Sequence, residues 1–267
     1  MTEFLFKELT HKIIGIYFDV YNVLSRGYPE FVYESAMQRD LQRQGVRCKR
    51  QEDCQVLYQE KLVGIQKLDL LVAEEVVVEI KALPNLTPLH KAQTFSYLKA
   101  FDKRVALLLN FSNARPEFER LFFQPRSSQT TTKPVEQAPA DLLPADLISP
   151  ELVYEIIGGL YTVHATLGPG FIHRIYANAC YHELQQRGLP VRAQKEMRIS
   201  YKGEPVASIK LAHLRVSDIA LVFPVATTDV NNISFNNLKD WLRTEQVPLA
   251  IIANFYEVSL KPVILKV

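Results

Sequence analysis

The chain has few cysteines and almost no net charge, and each shortage excludes a class of protein. Only three cysteines occur among 267 residues, at Cys48, Cys54 and Cys180. They are scattered and odd in number, without the paired spacing of a zinc site or a disulfide framework, so we expect a reducing cytoplasm. The net charge of +2 is too small to indicate a polyanionic partner by itself. Any contact with nucleic acid must therefore come from local patches.

Long hydrophobic runs are missing as well. No apolar run approaches the roughly 20 residues that crossing a bilayer requires, so no contact with a membrane is expected. Residues 1–7 lack the basic flank, long apolar core and small-residue cleavage site of a secretory signal. The composition is nevertheless 48% hydrophobic and 22% charged, which is enough to bury one large core or two ordinary ones.

The most informative segment is the apolar stretch 69–81, which contains a few charged side chains. Apolar runs on either side of residues 73–75 predict two strands joined by a short turn. A turn centred on Glu74 places Asp69 directly opposite Glu79, and the two-residue period adds Lys81 to the same face. Facing carboxylates repel unless a cation lies between them, so the hairpin predicts a divalent metal site. The alternative is a solvated strand face with a salt bridge between an acid and Lys81.

A second strong feature is an internal repeat. Short matches recur in the same order at an offset of 143 or 144 residues, which indicates a duplication. The matched pairs are 13–15 with 156–158, Tyr33 with Tyr176, Tyr58 with Tyr201, and 107–111 with 251–255. The repeat predicts two domains, at 1–124 and 148–267, joined by a linker at 125–147 that is rich in proline and polar residues.

Each copy has a pattern typical of helices around a small mixed sheet, an α/β (α+β) fold. In the first copy we predict helices over 3–24, 30–44 and from Thr87-Pro88 to about Ala100, and strands near 46–50, 54–60, 64–73, 76–82 and 104–111. Gly45 is a plausible C-terminal stop for the second helix, and Thr87 is an N-cap followed by proline. The second copy opens with the same signal at Ser149-Pro150.

Two helices add candidate site residues. Glu30 and Glu34 lie four residues apart near a helix start, although the helix dipole favours acids there in any case. His90, Gln93 and Tyr97 share one face of the helix after Thr87. That polar face indicates a cleft, and the alternative is a solvent-facing stripe with Tyr97 half buried.

These residues resemble a known family. The segment Gly27-x-x-Glu30-x-x-Tyr33 spells the signature of the GxxExxY proteins, which belong to the PD-(D/E)xK nuclease superfamily. The superfamily's remaining elements are matched, in order, by Asp69, by Glu79-Ile80-Lys81, and by Gln93 with Tyr97. The resemblance covers nearly all of residues 8–111. One departure lies before Gly27, where Leu-Ser-Arg replaces the family's Leu-Gly-Pro, a phrase that the second copy retains at 167–169.

The resemblance implies two tandem restriction-endonuclease-like domains, each a mixed sheet flanked by helices. It implies that Asp69 and Glu79 bind Mg²⁺ (or Mn²⁺), while Lys81 positions the attacking water or neutralises charge. Either Glu30 or Glu34 becomes the helix acid, and the sequence does not decide between them. Gln93 and Tyr97 become supporting residues of the cleft.

The second copy departs from this pattern. His173 and Ala177 stand where the first copy has Glu30 and Glu34, and Asn237 and Trp241 replace Gln93 and Tyr97. We expect Asp218 to correspond to Asp69. The nearest candidate for the Glu-x-Lys element is Asp229-Val230-Asn231, which supplies one acid and no lysine. The second copy is therefore interpreted as a degenerate pseudo-nuclease with a structural or binding role.

Three functions remain open at this point. The first is a magnesium-dependent nuclease with catalysis in the N-terminal copy, acting on nucleic acid, DNA in preference to RNA. The resemblance also implies a homodimer or an intramolecular pseudo-dimer. The second is a catalytically idle nucleic-acid-binding or scaffolding protein on the same fold. The third is a metal-dependent hydrolase of a different substrate.

Overall fold

The computed structural model describes residues 5–124, 147–201, 204–227 and 235–267. The predicted linker, apart from residue 147, and the segment Asp229-Val230-Asn231 lie outside the described residues, as does the side chain of Asn237. The chain divides into two compact units. The first contains Met1–Leu57 and Ile65–Gln129, and the second contains Tyr58–Gly64 and Thr130–Val267. A short segment of the first copy thus belongs to the second unit.

The first copy folds as a five-stranded mixed sheet with three helices. Its elements are α1 (Lys7–Leu24), α2 (Glu30–Arg43), β1 (Cys48–Tyr58), β2 (Lys61–Val72), β3 (Val76–Lys81), α3 (Pro88–Ala100), β4 (Val105–Asn110) and β5 (Glu117–Phe122). The strand order is β1-β2-β3-β4-β5. β3 runs parallel to β4 and antiparallel to β2, so α3 connects the two parallel strands. β4 and β5 are antiparallel.

Two details of the strand prediction were wrong. The strands predicted at 46–50 and 54–60 form one continuous strand, β1, because the polar residues between them do not make a turn. Instead Gln51 adopts a positive φ of 53° within the strand. β5 was not predicted, because charged residues make up half of its sequence, Glu-Phe-Glu-Arg-Leu-Phe, and interrupt its apolar residues.

The second copy repeats the architecture. Its elements are α4 (Pro150–Leu167), α5 (His173–Gln186), β6 (Val191–Tyr201), β7 (Glu204–Val216), β8 (Ala220–Val225), α6 (Phe235–Glu245), β9 (Leu249–Asn254) and β10 (Val263–Lys266). The strand order is β10-β9-β8-β7-β6, with β8 parallel to β9. β7 has 13 residues where β2 has 12, which accounts for the change of offset from 143 to 144. The predicted fold class is confirmed.

Tyr33, at the start of α2, is part of the scaffold. The hydroxyl of Tyr33 donates to the carbonyl of Ser25 and accepts from the amide of Tyr28, which fixes the loop before α2. Its ring stacks on Phe111, with centroids 4.2 Å apart. The same contacts recur in the second copy, where the hydroxyl of Tyr176 bonds Gly168 and Phe171 and its ring stacks on Phe255.

None of the helices in the described part of the chain combines the length and the hydropathy that crossing a bilayer requires.

Candidate active site

The β2–β3 hairpin has the register that a turn centred on Glu74 predicts. Leu70 pairs with Val78, and Val72 pairs with Val76. Ala73 and Glu74 reverse the chain at positive φ angles of 52° and 60°. Continued by one residue, this register brings Asp69 beside Glu79. The hairpin therefore places the two carboxylates next to each other, as the sequence indicates.

Asp69 is held from two sides. Its Oδ2 atom accepts a hydrogen bond of 2.8 Å from the amide of Ile80, and its Oδ1 atom lies 3.5 Å from Nε2 of Gln51. Ile80 is fully buried and belongs to the hydrophobic core, so it anchors the strand from the opposite face. Its neighbours Glu79 and Lys81 consequently point together toward the Asp69 side.

Glu79 and Lys81 form a buried ion pair. Nζ of Lys81 lies 2.7 Å from Oε1 of Glu79, and their side chains are 16% and 5% exposed. Burial raises the pKa of Glu79 and the charge of Lys81 opposes that shift. Burial alone would lower the pKa of Lys81, yet the charge and hydrogen bond of Glu79 raise it above its ordinary value. The alternative interpretation of the hairpin, a solvated strand face with a salt bridge to Lys81, is thus right about the salt bridge and wrong about the exposure to solvent.

Both helix acids reach this site. Glu34 is 4% exposed, and its Oε2 atom accepts a hydrogen bond of 2.9 Å from Gln51. Burial raises the pKa of Glu34, the Gln51 hydrogen bond lowers it, and the charge of Asp69 raises it further. Glu30 accepts a hydrogen bond of 3.1 Å from the amide of Ala82, directly after Lys81. The structure thus brings both acids to the hairpin and leaves the choice between them open.

Gln51 is a site residue that the sequence reasoning missed. Its single side-chain amide reaches the carboxylates of both Glu34 and Asp69, so it fixes the helix acid relative to the hairpin acid. The positive φ of Gln51 turns this part of β1 away from regular strand geometry. A signal was present in the repeat, because Gln194 occupies the same position at an offset of 143.

The polar residues of α3 face the interior. His90, Gln93 and Tyr97 are 7%, 7% and 6% exposed, so the solvent-facing alternative is wrong. His90 has a structural role, because its Nδ1 atom accepts a hydrogen bond of 3.1 Å from the amide of Thr87 at the helix start. Burial lowers the pKa of His90, and the charge of Lys81 lowers it further.

The site has more negative than positive charge. Four carboxylates, of Glu30, Glu34, Asp69 and Glu79, accompany Lys81 and the more distant Arg50, whose Nη1 atom lies 3.8 Å from Glu34. Burial, and next the charge of Glu79, raise the pKa of Asp69 to about 7. Within the described residues, no three acidic, histidine or cysteine side chains form a preassembled metal-binding group. Carboxylate oxygens at a site with surplus negative charge are nevertheless donors that Mg²⁺ prefers, so the residues fit a divalent cation.

This crowding predicts an unusual pH dependence of stability. The pKa of Asp69 is raised on folding from 3.8 to about 7, so the folded state loses stability as pH rises between these values. Without divalent metal, we expect the free energy of unfolding to be higher at pH 5 than at pH 8, by an Asp69 contribution on the order of 2 kcal/mol. Urea unfolding of the wild type and of Asp69→Asn in chelator measures this contribution as a difference.

The comparison with Asp69→Asn is needed because buried histidines act in the opposite direction. Burial lowers the pKa of His90, His173 and His213, so their protonation destabilises the fold at acid pH in both proteins. If Asp69→Asn keeps the full wild-type dependence of stability on pH, the raised pKa of Asp69 is not its cause.

The second copy has a different set of residues at the equivalent positions. Leu214 pairs with Val222, as Leu70 pairs with Val78. The residue before Leu214, His213, therefore corresponds to Asp69, while Phe223 and Val225 stand at the positions of Glu79 and Lys81. The expected match between Asp218 and Asp69 is wrong. Asp218 lies in the exposed β7–β8 turn, where it pairs with Arg215 at 3.1 Å.

An aromatic cluster occupies the place of the acids. The His213 ring stacks on Phe223, with centroids 5.3 Å apart, and meets the edge of Trp241 at 5.1 Å. Nε2 of His213 contacts Oε1 of Gln194. Pro224 corresponds to Ile80, whose amide donates a hydrogen bond to Asp69 in the first copy. Proline has no amide hydrogen to donate to a carboxylate. At these described positions, the second copy thus has neither the acids nor the backbone donor that would hold one.

A five-stranded mixed sheet whose central hairpin carries an acid and a Glu-x-Lys element, beside a helix that supplies further acids, defines a nuclease-like class of protein. The family model of the PD-(D/E)XK nuclease superfamily matches residues 7–121 and 150–267. The chain belongs to this superfamily, and both copies carry its fold. No curated protein matches the chain.

Proposed function

We propose that the N-terminal copy is a metal-dependent nuclease that hydrolyses phosphodiester bonds in nucleic acid, DNA in preference to RNA. The observation that carries the proposal is the buried cluster of Asp69, Glu79 and Lys81, with Glu34 joined to Asp69 through Gln51. A site with surplus buried negative charge and one ordered amine is suited to a cation and a phosphate group. Membership of the nuclease superfamily supports the same substrate class.

In this proposal Asp69 and Glu79 hold Mg²⁺ or Mn²⁺, and either Glu34 or Glu30 completes the ligand set. Such a metal supplies a lowered pKa for a bound water and neutralises charge on the phosphate. Lys81, oriented by Glu79, donates hydrogen bonds to the attacking water or to a phosphate oxygen. Gln51 keeps Glu34 and Asp69 at a fixed separation. Gln93 and Tyr97 support the cleft from α3.

The second copy is proposed to be a pseudo-nuclease. His213, Phe223 and Val225 offer no carboxylate at the three central positions, and Ala177 replaces the helix acid Glu34. One active site per chain predicts nicking or cleavage of single strands, unless two chains act together on a duplex.

Incubation with supercoiled plasmid and with single-stranded oligonucleotides tests the proposal. We expect Mg²⁺ or Mn²⁺ to support cleavage, and excess chelator to stop it. A matched Asp218→Asn variant, changed in the exposed turn of the second copy, should cleave like the wild type. Equal loss in Asp218→Asn and in Asp69→Asn would contradict the assignment of catalysis to the first copy.

A catalytically idle binding protein is the second candidate. It is favoured by the ion pair of Lys81 with Glu79, together with the hydrogen bonds on Asp69 and Glu34, which satisfy the acids without a metal. The two candidates differ in calorimetric titration with Mn²⁺. The nuclease binds Mn²⁺ and loses this binding in Asp69→Asn, whereas an idle protein shows no heat that depends on Asp69.

A further inference from the structure

The tip of the β1–β2 hairpin, residues 58–64, is embedded within the second unit. Tyr58 is fully buried, and its hydroxyl donates a hydrogen bond of 2.6 Å to Glu183 on α5. Nδ2 of Asn178, also on α5, donates a hydrogen bond of 2.7 Å to the carbonyl of Val63. The side chain of Val63 is likewise fully buried. The tip is therefore packed against this helix and does not project into solvent.

Gly64 shows how closely the tip approaches α5. A Cβ atom at Gly64 would lie 2.6 Å from Cγ1 of Ile175, so a side chain larger than hydrogen requires Ile175 to move. The contact therefore has three parts. Tyr58 bonds a carboxylate of α5, the carbonyl of Val63 bonds a polar side chain of α5, and Gly64 packs against the branched side chain of Ile175.

The first copy offers the corresponding helix surface, where among the described residues Arg50 donates a hydrogen bond of 2.8 Å to the hydroxyl of Ser35. The α5 residues Ile175, Asn178 and Glu183 correspond to Val32, Ser35 and Asp40 of α2 at the offset of 143. All three α2 residues line a groove between α1 and α2 with a volume of about 460 Å³. Its apolar rim includes Val23, which is 81% exposed.

The second copy offers the corresponding hairpin strand, also exposed. Val206 and Ala207 are the sequence counterparts of Val63 and Gly64, and Val206 is 59% exposed where Val63 is fully buried. Every residue of β7 from 204 to 210 is exposed. A second exposed apolar side chain, Ile209, lies in the same stretch.

The exposed strand 204–209 and the α1–α2 groove match each other in the same way as the segment 58–64 matches α5. The hairpin gains a methyl group where Ala207 replaces Gly64, and the helix loses one where Val32 replaces Ile175. The total volume at this contact is therefore conserved. The helix of the first copy also keeps a carboxylate, Asp40, in place of Glu183, and a polar group, Ser35, in place of Asn178.

We propose that the exposed strand 204–209 of one chain docks in the α1–α2 groove of a second copy of this chain. The contact joins two different surfaces, so two chains can exchange it reciprocally or several chains can close a ring. Such docking covers exposed apolar side chains on both surfaces, Val23 at the groove and Val206 on the strand. A small interface of this kind gives weak association, with a dissociation constant on the order of 10–100 μM.

Sedimentation equilibrium of the full chain over that concentration range tests the proposal. We expect the wild-type mass to rise above 30.6 kDa. Val206→Asp should remain at the monomer mass, because it places a charge at the position whose counterpart, Val63, is fully buried in the existing contact, and so weakens binding at least about ten-fold. Val258→Asp, which changes an equally exposed valine of the second unit, should associate like the wild type. A monomeric wild type, or association that Val206→Asp does not weaken, overturns the proposal.

A mixing experiment identifies the surfaces. Ser35→Trp fills the groove at an exposed helix position and should also give a monomer. Each variant keeps one half of the contact intact, so the hairpin of the Ser35→Trp chain can enter the groove of the Val206→Asp chain. We expect the mixture to form a 1:1 complex, detected by mass. Circular dichroism verifies that each variant is folded, and a mixture of folded variants without any complex refutes tip-in-groove docking.

Discussion

Replacing Glu79 by glutamine is expected to lower the rate of metal-dependent cleavage by about three orders of magnitude. The change removes one negative oxygen from the proposed ligand pair and breaks the 2.7 Å ion pair that orients Lys81. Metal-ion stabilisation of the reacting phosphate contributes several kcal/mol, so its loss corresponds to about a thousand-fold lower rate. Initial rates of plasmid nicking at saturating Mg²⁺ measure the effect.

The control for Glu79→Gln lies on the same hairpin. Glu75→Gln makes the same chemical change in the exposed β2–β3 turn, outside the site. It should leave the rate within about two-fold of the wild type, since exposed substitutions away from the site have small effects. Cleavage that survives in Glu79→Gln, with circular dichroism unchanged, would remove the basis for a catalytic hairpin.

Replacing Lys81 by methionine is expected to separate stability, metal binding and catalysis. Without the ammonium group, the Glu79 carboxylate is buried and unpaired, which costs about 3–5 kcal/mol in the metal-free protein. Mn²⁺ should restore more stability to this variant than to the wild type, because the metal then supplies the positive charge beside Glu79 that the substitution removed. The cleavage rate of Lys81→Met should remain at least about a hundred-fold below that of the wild type even with saturating Mn²⁺, because the amine that donates to water or phosphate is missing. Thermal unfolding with and without Mn²⁺, and nicking assays, report the three properties.

Lys81→Arg is the matched variant for this experiment. It keeps a positive charge beside Glu79, so its metal-free melting temperature should lie nearer the wild type than that of Lys81→Met. Mn²⁺ that binds no better to Lys81→Met than to the wild type would contradict the electrostatic account. Full cleavage by Lys81→Met would exclude Lys81 from the reaction.

The hairpin shows how much of the site the sequence could predict. Strand pairing across a short turn is local, and side chains alternate with a period of two, so positions 69, 79 and 81 follow from spacing alone. Gln51 could not be found in this way, because its contact with Glu34 and Asp69 joins a helix, a strand and a hairpin that are distant in sequence. The burial of Gln93 and Tyr97 likewise depends on how α3 packs on the sheet.

The second copy shows where sequence comparison fails. Asp218 follows an apparent strand of the second copy, and on that ground it is predicted from the sequence to correspond to Asp69. The extra residue in β7 shifts the offset to 144, and the β7–β8 register assigns the position to His213. Asp218 lies five residues further along the chain, in the turn after β7, so a match made from the strand pattern without the pairing register fails.

The sequence by itself determined the duplication, the fold class and the local geometry of the hairpin, because each of these follows from periodic patterns and short-range spacing. Only the tertiary structure decided that four carboxylates share a site with one buried lysine, and that His213, Phe223 and Trp241 take their place in the second copy. The reason is physical. Burial and charge crowding arise when distant segments pack together, and the energy of a carboxylate depends on the neighbours that this packing brings within a few ångströms.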